Sequence, residues 1–194
     1  MDGCFCKSKS KSNSLSFISP NFLIMNLLSQ YLSLCWFRNN PADLIPSKSF
    51  MWKTVAFYLF SGCIVEGLIS DPADGSLEVF LRAIMAFSSV AVFLLVFKKW
   101  QYFNQLYIAI FVCENFIMTL ATITEGLYFL MVMNNKENAE EISIGIGALL
   151  IAWYIAIVSY ILRQAFETKM SLSVILAISY FILTYGIPML FMDI

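Results

Sequence analysis

Residues 106–133 read LYIAIFVCENFIMTLATITEGLYFLMVM, and this run decides the fold class. Glu114 and Glu125 are its only charges. A helix over it exceeds the roughly 20 residues needed to cross about 30 Å of hydrocarbon, so it spans with a strong tilt or a bend. The whole chain is 60% hydrophobic and only 13% charged, where ordinary soluble domains carry about 25% charged residues. Apolar surface on this scale, with a mean hydropathy of +0.77, needs a bilayer as its solvent.

Four more apolar runs lie at 51–69, 79–97, 142–162 and 172–192, separated by SDPADGS, KKW, NNKENAEE and a short basic link. Residues 25–37, MNLLSQYLSLCWF, put Asn26, Ser29, Gln30 and Ser33 at i, i+3, i+4 and i+7. One polar stripe on an otherwise apolar helix fits the membrane interface, with Trp36, Phe37 and Arg38 at headgroup level. The expected fold is therefore all-α: a polytopic integral membrane protein with five transmembrane helices within 50–194. An interfacial amphipathic helix and a proline-punctuated loop occupy 25–49. Residues 1–24 hold the Lys/Ser tract CKSKSKSNS and are expected to be disordered. Ser16, Ser19, Pro20 and Asn21 interrupt the apolar stretch that a signal peptide would need, and Met25 marks an alternative start.

Lysines and arginines alternate across the connections. Lys7, Lys9, Lys11, Arg38, Lys48 and Lys53 precede the first span, Lys98 and Lys99 follow the second, and Arg163 and Lys169 follow the fourth. The opposite side has Lys136 alone in its loops. The positive-inside rule then predicts a cytoplasmic N-terminus and an external C-terminus. Asp71, Asp74, Glu78, Glu137, Glu140, Glu141 and Asp193 gather on the outer side.

The chain has no histidine, which removes Ser–His and Cys–His nucleophile pairs, HExxH zinc sites and histidine proton relays. Cys4, Cys6, Cys35, Cys63 and Cys113 lack zinc-ligand spacing. No phosphate-cradling glycine loop is present, and a net charge of −1 gives no basic field for nucleic acid. No metal, cofactor or enzymatic activity is expected.

The polar residues inside the spans are the candidate sites. A charge at bilayer depth costs at least ~2.5–3.5 kcal/mol unless it is paired or snorkels, so Arg82 is expected to pair with Glu66, Glu125 or both. Glu114 and Glu125 are close to three helical turns apart and share a face, with Asn115, Thr119 and Thr122 beside it. That stripe is expected to face the bundle and bond across helices. In the fourth span Gly145, Ala148, Ala152, Ala156 and Ser159 form a small-residue ridge for close helix packing, within the chain or against a partner. Gly186 and Pro188 predict a kink in the fifth.

PADL (41–44), FNQLYIAI (103–110) and Trp153 followed by YILRQA (160–165) resemble a family of small proteobacterial inner-membrane proteins of uncharacterised function, some grouped with the Yip1-like multispanning fold. The matching positions are Phe103, Gln105, Ile161, Leu162, Arg163 and Ala165, and Tyr160 stands where the family pattern has histidine. The resemblance runs from Met25 to the C-terminus and implies a bacterial inner membrane. It favours a scaffold or partner-binding bundle. The alternative is a small-solute or ion transporter, for protons or cations, using Glu114. The lipid bilayer is the expected partner in either case, with other membrane proteins or a second copy added under the first.

Overall fold

The computed structural model describes residues 20–69, 72–134 and 138–192. The Lys/Ser tract lies outside them, as do Asp71, Lys136, Glu137 and Asp193 from the charge pattern.

The described residues are helical throughout, apart from short connections. Helix α1 spans Pro20–Leu32, α2 Lys48–Ile69, α3 Pro72–Val96, α4 Phe103–Met133 and α5 Ala139–Phe166. Helix α6 spans Met170–Phe181 and runs through a π-helical turn, Ile182–Gly186, into α7, Ile187–Met192. Local chemistry sets the ends. Ser47 Oγ caps α2 by accepting the Phe50 N–H at 3.2 Å, and Pro72 opens α3, where its missing N–H costs nothing. Glu167 closes α5 at φ 55°, and Lys99 donates to the Ala165 carbonyl at the same terminus, where a cation complements the helix dipole. Pro188 has no N–H for the Thr184 carbonyl four residues back. The Ile187 N–H donates five residues back, to Ile182 O, and this widens the helix into the π turn, an interruption of the regular α-helix beside Gly186 and Pro188.

Among the described residues, four stretches are long and apolar enough to cross a membrane: Ala73–Val96, Trp100–Met133, Ala139–Phe166 and Met170–Phe191. The expected fifth, α2, is 22 residues long and is not among the four. Large apolar side chains such as Phe60, Ile84, Leu95, Phe129, Leu149, Ile175 and Phe191 point outward, as a hydrocarbon-facing surface requires.

Helix α4 is the axis of the bundle. In its most apolar window 61% of residues are buried, against 22–28% in the other three stretches. Residues 106–115 are buried on every side, whereas the second half of α4 lies at the surface. The α2–α3 hairpin closes on two glycines. A Cβ on Gly75 would meet Glu66 backbone atoms at 2.8 and 2.9 Å, and one on Gly62 would meet Val79 at 2.8 Å.

The amphipathic segment is docked on the bundle. Tyr31, Leu34 and Cys35 are fully buried, and Tyr31 donates to the Leu44 carbonyl at 3.0 Å. Trp153 Nε1 donates to Cys35 O at 3.2 Å and the Tyr160 hydroxyl to Asn39 O at 3.0 Å. Asn26 and Ser29 of its polar stripe remain exposed, so the apolar side is used against protein.

Candidate functional site

Glu114 lies in the fully buried half of α4 and is itself 1% exposed. An unpaired carboxylate there would be costly, and three tyrosine hydroxyls from three other elements meet it. Tyr185, from the π turn, donates to Oε1 at 2.6 Å, and Tyr58 of α2 donates to the same oxygen at 3.1 Å. Tyr154 of α5 donates to Oε2 at 3.2 Å. A carboxylate offers about four lone-pair sites, so both oxygens are used and all three hydroxyls are satisfied. The tyrosine rings supply the apolar body that each position needs, with the polar tip turned inward.

A second cluster adjoins the first. Arg82 Nη1 lies 2.5 Å from Glu66 Oε1, and Nη2 lies 2.5 Å from Glu78 Oε1. All three side chains are only 12–14% exposed. Glu78 and Arg82 are one helical turn apart, the spacing at which helix neighbours meet. The close approach of α2 and α3 at Gly75 brings Glu66 within reach. The Arg82 guanidinium also lies 5.0 Å from the centre of the Tyr185 ring. Tyr185 therefore touches both clusters, the ion triad with its face and Glu114 with its hydroxyl.

A cavity of about 310 Å³ runs beside both clusters. Glu66, Arg82, Glu114, Thr122 and Glu125 line it, together with Tyr154, Phe181, Tyr185 and aliphatic side chains.

The structure divides the polar stripe of α4. Glu114 and Asn115 are buried, while Thr119, Thr122 and Glu125 are exposed. Thr119 and Thr122 donate to the carbonyls of Asn115 and Met118 within α4, so the expected bonds across helices are not made by these hydroxyls. The reason is that α4 leaves the bundle core after about one half of its length. Asn115 does reach across, from Nδ2 to Thr54 O at 3.4 Å. Arg82 pairs with Glu66 and with Glu78, whereas Glu125 reaches the same cavity without an ion pair among the described residues.

Of the two places expected for the small-residue ridge, most of it lies outside the chain's own core. Gly145, Ala148, Ala152 and Ala156 are exposed, and only Ser159 is buried. Leu150, Tyr154, Ile157 and Ile161 occupy the inner side of α5, and the ridge lies on the opposite side.

Sequence reasoning missed Tyr58, Tyr154, Tyr185 and Glu78. The spacing of Glu78 and Arg82 was the available signal for one of them. Nothing local marks the tyrosines, which come from separate helices. No group of three or more Cys, Asp or Glu side chains is arranged to hold a metal among the described residues.

Fold and site together define a polytopic helical membrane protein with a buried network of one carboxylate and three tyrosines. No protein-family model, curated protein or solved structure matches the chain.

Proposed function

We propose that this chain is a small-solute or ion transporter, for protons or small cations, in which Glu114 is the binding carboxylate. The observation that carries the reading is the placement of Glu114, held by three tyrosine hydroxyls at the inner end of a cavity shared with Glu66, Arg82 and Glu125. A carboxylate used only as helix glue is an expensive choice in lipid, because apolar packing could replace it without a desolvation cost. Glue also needs no open volume beside it. In this reading α2 is the fifth span, with Glu66 neutralised by Arg82, and the bundle sits in a bacterial inner membrane with its N-terminus cytoplasmic. Binding and movement, with no covalent step, account for the whole site. The test is proton and cation flux in proteoliposomes for wild type and Glu114→Gln. The mutant is expected to fold and to lose flux.

A second reading, a scaffold or partner-binding bundle, is favoured by the exposed ridge of Gly145, Ala148, Ala152 and Ala156. Small residues on a lipid-facing surface let another helix approach closely. Crosslinking in native membranes tests it. Under this reading Ala152→Leu abolishes a crosslinked product that wild type gives, and Glu114→Gln leaves it unchanged.

A further inference from the structure

We infer that the cavity between α4, α5 and the π turn binds a monovalent lipophilic organic cation, such as a bulky amine or a quaternary ammonium ion. The inference rests on the transporter reading for its biological use, but not for its chemistry.

Size admits more than a proton or a bare ion. A single water needs roughly 10–15 Å³ of such space, whereas small-molecule sites begin near 300 Å³, and this cavity offers about 310 Å³. Bare inorganic cations such as calcium and magnesium demand six or more oxygen ligands, and the described residues contain no cluster suited to a metal. Most of the wall is hydrocarbon, from residues such as Ile117, Met118, Leu150 and Ile151. That wall suits a ligand with an apolar body of its own.

Charge selects the sign. Glu66 and Glu78 share one guanidinium, so the triad keeps one negative charge in excess. Glu125 adds another carboxylate at the exposed end of the cavity and has no ion pair among the described residues. Glu114 lies at the buried end on the same face of α4. The two are about 16 Å apart along the helix, at 1.5 Å per residue, so a cation meets Glu125 first and Glu114 last.

Aromatic faces select the kind of cation. Phe181 and Tyr185 stack at 5.0 Å, and the Tyr154 ring stands edge-on to both at 6.4 and 6.2 Å. All three line the cavity. Tyr185 is already engaged by the Arg82 guanidinium and by Phe181, so Phe181 and Tyr154 are the rings that offer a face to an organic cation. Rings of this kind bind weakly hydrated organic cations well when water is excluded.

The experiment is equilibrium binding of tetraphenylphosphonium to the full-length protein in detergent, with tetraphenylborate as the anion of matching shape. Saturable binding of the cation alone is expected. Glu125→Gln and Phe181→Leu should each weaken it roughly threefold to tenfold, the scale of one charge or ring contact. Equal affinity for the borate, or no saturable binding of the cation by wild type, overturns the inference. In that case proton or metal-ion flux lost in Glu114→Gln would still support a transporter, one with a different cargo. Binding of the phosphonium without any flux would instead sink the transporter reading and leave the inference standing.

Discussion

Replacing Glu114 separates its roles as acceptor and as charge. Glu114→Leu removes the acceptor for three tyrosine hydroxyls at 2.6, 3.1 and 3.2 Å. Hydrogen bonds between membrane helices average about 0.6 kcal/mol and reach about 1.7. Three of them therefore give a loss of roughly 2–5 kcal/mol. Glu114→Gln keeps one carbonyl oxygen as acceptor and adds an amide that can donate to a hydroxyl oxygen, so its cost should stay below about 1 kcal/mol. Single tyrosine changes divide the network further. Tyr58→Phe leaves Oε1 with Tyr185 and should be the mildest, whereas Tyr154→Phe strips Oε2 of its only donor among the described residues. The assay is reversible unfolding in mixed detergent micelles, followed by circular dichroism. Equal losses for Leu and Gln, or a loss under about 1 kcal/mol for Leu, would show that the tyrosines do not depend on the carboxylate.

Other outcomes follow from packing and charge. Gly75→Ala forces a methyl group into Glu66 backbone atoms and should cost about 1–3 kcal/mol, the range for overpacking, read as a fall in unfolding midpoint. Arg82→Ala and Glu66→Ala should be non-additive by about 0.5–3 kcal/mol, and additive losses would reject their coupling. Ala152→Leu should leave the isolated chain within about 0.5 kcal/mol of wild type, because Ala152 faces outward. A large loss of stability would put the ridge back inside the bundle. Tyr31→Phe should loosen the docked N-terminal segment by about 1 kcal/mol through loss of its bond to Leu44 O, seen as faster proteolysis before α2.

How much of this was legible in the sequence varies with the range of the interaction. The all-helical membrane class follows from composition, and α3, α4, α5 and α6 follow from apolar runs between clear breakers. The pairing of Arg82 with Glu66 was reachable because both lie near one end of consecutive helices. Glu78 was available from its spacing to Arg82, but it reads as a loop acid until α3 is seen to start at Pro72. The orientation of α4 was harder. Its two halves are equally apolar, so periodicity cannot show that 106–115 are enclosed on all sides while Thr119 and Thr122 face outward. The side of α5 on which the ridge lies was hidden for a related reason. Small residues mark a surface fit for close approach, but in lipid an outer surface is apolar too, and pattern alone does not say which side faces protein. The tyrosine cage lay beyond reach because its members meet only after α2, α5 and the π turn assemble around α4.

The most direct test of the central claim is flux through the reconstituted protein. Proteoliposomes carrying wild type, Glu114→Gln or Tyr58→Phe are compared under imposed proton and cation gradients, with protein amount and folding matched. The account predicts flux in wild type, none in Glu114→Gln, and partial flux in Tyr58→Phe, which leaves Oε1 with its Tyr185 donor. Flux in Glu114→Gln equal to wild type, or none in wild type under any gradient, would contradict it and leave Glu114 as a structural bond between helices.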